Sequence, residues 1–245
     1  MEPMIFDAHI ELNVSELPAS GSDLLKGMSA YGADRAIVIP AAESTSDPAF
    51  ESANTELAAF CKNYPGKLFP FCRLQPKLGA AAVESLKSAL ENGFYGLFLA
   101  PESEQFYIDH CIELFRVLEA RQKPLLLVTQ KHLIRNPRYW QGAVEKFPHV
   151  PFIFVHAGQD DYVQAAEMAT EFPNVYLETS ALNRMRTEHL LRIAGTKKIL
   201  FGSGSPVSDG RIEKVKFEVL NALTPDIAGS NLNALMGTVP SEGRV

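Results

Sequence analysis

Eight short apolar runs, separated by amphipathic stretches, constrain this chain more than any other feature. The runs are Met4–Ile10, Arg35–Pro40, Leu68–Leu74, Phe94–Ala100, Pro124–Gln130, Pro151–His156, Val175–Ser180 and Lys198–Ser203. Several, such as Phe152-Ile153-Phe154-Val155, are apolar at consecutive positions, the pattern of strands buried on both faces and so of a parallel sheet. Between the runs the apolar residues take helical spacing. Ile108, Cys111, Ile112, Phe115 and Leu118 form one stripe, and Ile212, Val215, Val219, Leu220 and Leu223 predict another. Pro124 ends the fourth helix after Arg121-Gln122-Lys123, and Gly93 and Gly195 stand where helix C-caps are expected.

Spread over 245 residues, eight strands leave about 31 residues per strand–helix unit, the size of a βα unit. Eight such units close a barrel whose functional end lies at the C-terminal edges of the strands. A doubly wound sheet of six units is the alternative, but no Gly-rich phosphate loop follows the first run. The expectation is therefore the α/β class: a single (β/α)8 TIM barrel forming one domain over residues 1–245. Asn231–Met236 reads as a short terminal helix and 238–245 as a loose tail.

Composition narrows the partners. The formal charge is −6, and the positive residues are scattered rather than clustered. A nucleic-acid partner is disfavoured, since phosphate contacts need grouped Lys and Arg, and so is a charged membrane surface. No apolar run reaches the length that spans a bilayer. The first residues show neither the basic nor the apolar region of a signal peptide. Three cysteines, Cys61, Cys72 and Cys111, are an odd number without metal-ligand spacing. They read as free thiols in a reducing cytoplasm. Nothing in the composition opposes a small-molecule substrate.

The chemistry-bearing residues gather at the ends of the runs. Asp7, His9 and Glu11 alternate in the first strand and should share one face. Three polar groups on the wall of an apolar barrel need either a metal or proton transfer, or else one another as hydrogen-bond partners. His156 closes the sixth run, where barrels keep catalytic groups. Arg73 ends the third and is a candidate to bind a substrate carboxylate bidentately, or to pair with an acid at the mouth. In the seventh, Glu178 and Ser180 fall on one face and Thr179 on the other.

At this point the residues resemble a known family, the amidohydrolase-related proteins that include aminocarboxymuconate semialdehyde decarboxylase. Phe6-Asp7-Ala8-His9 resembles its first-strand Asp-x-His-x-His motif. Gly93-Phe94-Tyr95-Gly96-Leu97 is similar to its fourth strand, and Val155-His156-Ala157-Gly158 to its sixth. Leu200-Phe201-Gly202-Ser203-Gly204-Ser205-Pro206 resembles its eighth-strand Leu-Phe-Gly-Ser-Asp-x-Pro. The resemblance implies one divalent, zinc-like metal held by two first-strand His, a fifth-strand His and an eighth-strand Asp, with the sixth-strand His as base. It also implies a homodimer, for which the residues show no interface. Here His9 and His156 match, but Glu11 replaces the second His, Val128 or Thr129 takes the fifth-strand position, and Gly204 replaces the Asp.

A rebuilt set of His9, Glu11 and His156 would restore two imidazoles and a carboxylate. Asp209 and His132 are further candidates to reach inward. The expected function is an amidohydrolase-like hydrolase or decarboxylase with a diverged, weakly held metal. His156, Glu11 and Asp7 are then the catalytic candidates, and Arg73 and Glu178 line the substrate pocket near its rim. The rivals are a barrel without catalysis that binds a ligand or partner, and metal-free acid–base catalysis by Glu11 and His156.

Overall fold

The computed structural model describes residues 3–130 and 133–237. Among these, eight parallel strands form one sheet in chain order: β1 Ile5–Leu12, β2 Ala33–Pro40, β3 Leu68–Arg73, β4 Gly96–Leu99, β5 Leu125–Val128, β6 Phe152–Val155, β7 Val175–Glu178 and β8 Ile199–Leu200. The first and last strands meet. Ala8 N donates to Phe201 O at 2.9 Å, Gly204 N to His9 O at 3.0 Å and Glu11 N to Ser205 O at 2.8 Å. The sheet is thus a closed (β/α)8 barrel, and the expected fold holds.

Helices α1 Leu17–Ala30, α2 Glu51–Cys61, α3 Ala80–Glu91, α4 Ile112–Arg121, α5 Gln141–Lys146, α6 Tyr162–Glu171, α7 Arg184–Ala194 and α8 Gly210–Val219 follow successive strands. Of the stripe on this helix, Cys111, Phe115 and Leu118 are buried and Ile108 and Ile112 half-buried against the core, as its spacing predicts, and Gln122 closes α4 in the left-handed region at φ 51°. The stripe expected of α8 is not inward. Ile212, Val215 and Val219 are exposed, and the helix buries Glu213, Lys216 and Phe217 instead. Two polar groups behind β7 take the place that spacing alone assigns to apolar side chains.

The core has two layers. Ile5, Leu57, Leu86, Phe115, Trp140, Phe152 and Phe217 belong to the layer between strands and helices. Phe6, Ile37, Phe69, Phe71, Phe98, Leu126, Ile153 and Leu200 fill the barrel itself. A last helix, α9 Asn231–Leu235, closes the bottom. Leu232 and Met236 join the inner layer, and Asn231 Nδ2 donates to Ile199 O at 2.9 Å. The tail beyond 237 lies outside the described residues. Cys61, Cys72 and Cys111 are free and buried, and burial pushes the Cys61 and Cys72 thiols up to about 12.

Candidate active site

The mouth is built first by an irregularity in β1. Asp7 pairs with Ala36 and Ile10 with Val38, so β1 spends one residue more than β2 over this stretch. That bulge shifts the alternation. Phe6 and Ala8 point into the barrel, His9 and Glu11 point into its mouth, and Asp7 does not share their face. Asp7 instead joins strands to helix. Tyr31 of α1 donates its hydroxyl to Oδ2 at 2.7 Å, and Ser203 N and His9 N donate to Oδ1 at 2.9 and 3.0 Å. Burial pushes its carboxyl up despite these donors. The expected face of three is a face of two, and Asp7 locks the seam between β1 and β8.

His156 reaches the site by a second irregularity. Ile153 and Val155 point into the barrel, so plain alternation would send His156 outward. Its φ of 63° turns the chain instead, and Ala157, Gly158 and Gln159 continue with φ of 42°, 78° and 46°. For residues other than Gly such conformations cost about 1–3 kcal/mol each and gather at functional sites. Thr129, just past the end of β5, supports this turn by accepting from Gly158 N at 3.0 Å.

β7 supplies the floor of the mouth. Glu178 is fully buried. Its Oε2 accepts from His156 N at 3.1 Å and from Ser180 Oγ at 2.8 Å, and its Oε1 accepts from Ser180 N. Gly202 makes room for it, since a Cβ there would meet Glu178 Cγ at 2.5 Å. His156 Nδ1 lies 3.0 Å from Ser180 Oγ. Ser180 is the residue that sequence reasoning left without a role, although its alternation with Glu178 was visible.

His9 stands between two carboxylates. Nε2 is 3.4 Å from Glu11 Oε1, and Nδ1 is 3.5 Å from Glu178 Oε2. Both contacts are long, and neither buried ring nitrogen makes a hydrogen bond. Burial alone would lower its pKa, but the flanking carboxylates push it up to about 10. Glu11 and Glu178 both resist the upward pull of burial and are held down at about 2, chiefly by His9. His156, 5.4 Å away ring to ring, is pushed down by burial and by the charge on His9.

Arg73 is not free to greet a substrate. It is buried, donates from Nε to Glu104 at 2.7 Å and from Nη1 to Glu11 at 3.0 Å, and lies over the rings of Phe50 and Phe98. Arg73 and Glu178 therefore sit below the rim rather than on it. Glu104 was missed because nothing in its loop marks it: Ala100 N holds the carboxylate at 3.0 Å. Asp209 does not reach inward either. It caps α8 by accepting from Arg211 N at 2.8 Å. His132 lies outside the described residues.

Which groups suit a metal can be tested on this geometry. Among the described residues, His9, His156 and Glu178 each offer a donor atom within 4.8 Å of the others. Two imidazoles and a carboxylate suit a divalent transition metal, and His9 has unpartnered nitrogen atoms. The residues fit. The carboxylate in the group is Glu178, while Glu11 stays outside it and half-exposed toward the mouth. An 840 Å³ groove between α1 and the segment following β8 opens onto Glu11.

The model of the amidohydrolase family matches residues 8–229. No curated protein matches the chain in sequence. Solved structures do resemble it. 2,6-Dihydroxybenzoate decarboxylase from Rhizobium has a TM-score of 0.74 at 17% identity, over 96% of this chain and 98% of that one. 5-Carboxyvanillate decarboxylase from Sphingomonas paucimobilis gives 0.73 at 13%, over 95% and 98%. A dihydroxybenzoic acid decarboxylase from Polaromonas sp. JS666, with bound manganese and the inhibitor 2-nitroresorcinol, gives 0.69 at 15%, over 96% and 97%.

Proposed function

Because the chain belongs to the amidohydrolase family, we propose that its barrel mouth is the active site of a divalent-metal-dependent enzyme acting on a small molecule by hydrolysis or decarboxylation. The observation that carries this reading is His9: a buried imidazole with both nitrogens unbonded, beside donor atoms of His156 and Glu178. These three residues would hold the ion. When bound, a metal of this kind polarises a substrate oxygen and lowers the pKa of a bound water.

The chain's own residues do the rest. Glu11, ionised and facing the groove, accepts a proton or hydrogen bond from the substrate. Arg73 keeps Glu11 in place and is itself held by Glu104. Phe98, buried between the His9 ring at 5.9 Å and the Arg73 guanidinium at 5.0 Å, holds both side chains in place from beneath. With His156 as a ligand, proton handling falls to Glu11, and Asp7 has no direct part. One domain, a reducing cytoplasmic setting and no nucleic-acid or membrane partner complete the proposal. The three buried free thiols and the scattered charge support the last two points.

The metal-free reading has an observation of its own. Arg73, Glu11, His9 and Glu178 alternate in charge along one line of contacts, so a proton on His9 balances the site without an ion. Titration calorimetry with Mn²⁺ and Zn²⁺ separates the two. The proposal expects one site per chain and release of about one proton, because a ligating His must be neutral. Binding should weaken strongly, without disappearing, in His9→Ala and Glu178→Gln. Wild-type protein that takes up neither ion at millimolar concentration would leave the metal-free reading standing.

A further inference from the structure

Behind the strand that carries Glu178 lies a buried ion pair unused by the mouth. α8 turns Glu213 and Lys216 inward, 2.6 Å apart, while Ile212, Val215 and Val219 of the same helix stay exposed. Burying two charges where apolar side chains would fit seldom adds stability. Among the described residues, their further hydrogen bonds go to the segment that follows β7. Thr179 Oγ1 donates to Glu213 Oε1 at 2.6 Å. Lys216 Nζ donates to the carbonyls of Thr179 at 2.9 Å and Leu182 at 3.0 Å. Thr179 lies between Glu178 and Ser180 and faces the other way. On the mouth side those two neighbours rest against glycines: a Cβ at Gly202 would meet Glu178, and one at Gly204 would meet Ser180 Cβ at 2.9 Å. The segment is gripped from outside and left room only by glycine within.

We propose that Glu213 and Lys216 are positioning residues that set the backbone at Thr179, so that Ser180 fixes the tautomer of His156 and Glu178 faces His9. Ser180 Oγ gives its proton to Glu178 and therefore accepts from Nδ1–H of His156 at 3.0 Å. Nε2 of His156 is then the nitrogen that keeps its lone pair. The metal part of this inference rests on the proposed function; the tautomer part does not.

The test uses the full chain as the double variant Glu213→Leu/Lys216→Met, with Glu213→Gln and Lys216→Arg beside it. Three readouts are taken: the thermal melt, Mn²⁺ affinity, and the ¹⁵N shifts of the His156 ring in metal-free protein. The double variant should melt at or above the wild-type temperature, since apolar replacement of a buried pair is often neutral or stabilising. Its Mn²⁺ affinity should nevertheless fall by about tenfold or more, the usual effect of losing outer support for a metal ligand. Its His156 shifts should move toward a mixture of tautomers, and Lys216→Arg should restore most of both. Unchanged His156 shifts and affinity would overturn the proposal, whatever happens to the melt. If wild-type protein binds no Mn²⁺, the metal reading fails by itself and the His156 shifts alone decide. If the double variant does not fold, Glu213→Gln carries the comparison of His156 shifts and Mn²⁺ affinity in the same direction, with a lower melt because Lys216 stays buried without its anion.

Discussion

The bottom and the mouth of the barrel are made by the same eight strands and obey different rules. At the bottom, Phe6, Phe69, Ile153 and Leu200 meet under Leu232 of α9 and Met236 just beyond it, with Arg35 lying over the Phe6 ring and bonded to Asn233 of α9. At the mouth, within a few residues of the same strands, His9, Arg73, Glu104 and Glu178 are just as buried. The bottom gains stability from removing apolar area from water. The mouth pays desolvation for each charge and recovers it only through a partner. Packing explains the first region; the second makes physical sense as a site whose charges are meant to meet something.

The largest expected effect comes from breaking the bottom. Phe69→Ala removes a fully buried ring that contacts Phe6 and Tyr95 and should cost about 3–5 kcal/mol in urea unfolding. Mn²⁺ affinity of the folded fraction should be unchanged. Loss of metal binding in that variant would mean that the two regions are not separable.

Breaking the mouth at Arg73 should come next. Arg73→Met fills much of the same space between Phe50 and Phe98 but leaves Glu104 buried without its cation, a loss of about 3 kcal/mol by the usual cost of an orphaned buried charge. Raising the pH should deepen the loss, because burial already pushes the Glu104 carboxyl up and Arg73 opposes that shift. Stability equal to wild type at pH 8 would show that the ion pair is decorative.

The bottom was legible in the sequence because packing follows period. Runs of two-sided apolar strands announced a parallel barrel, and their order and spacing set its closure from Asp7–Glu11 to Ser203–Ser205. Helix ends at Gly93 and Gly195 followed from conformation alone. The mouth was legible only as residue types. Strict alternation placed Asp7 beside His9, but a one-residue bulge, invisible to a period of two, turned it toward Tyr31. Alternation also gave no warning that His156 would need a left-handed backbone to arrive. Arg73 looked available because its partner Glu104 comes from a loop with no pattern. The stripe on α8 misled for a related reason: a strand end bearing polar groups on both faces drew Glu213 and Lys216 inward, leaving the apolar residues outside.

The smallest effect sharpens the contrast by pH in metal-free protein. Glu11 and Glu178, held at about 2 against an ordinary 4.5, add stability that is present above pH 4.5 and lost as pH falls toward 2. His9, held at about 10 against 6.5, adds stability that is full below pH 6.5 and lost as pH rises through 10. The stability difference between wild type and His9→Ala should therefore be greatest between pH 4.5 and 6.5 and shrink on both sides. A difference that does not vary with pH would remove the charge from His9. Phe69→Ala should show no such profile.

In the proposed site His9, His156 and Glu178 hold one divalent ion together. Pulsed electron paramagnetic resonance of the Mn²⁺-loaded protein counts the nitrogens bound to the ion. Two imidazole nitrogens are expected in wild type, one in His9→Ala and one in His156→Ala, with the Glu178→Gln variant binding more weakly. A spectrum without directly bound imidazole nitrogen, or one that keeps both couplings when either histidine is removed, would contradict it.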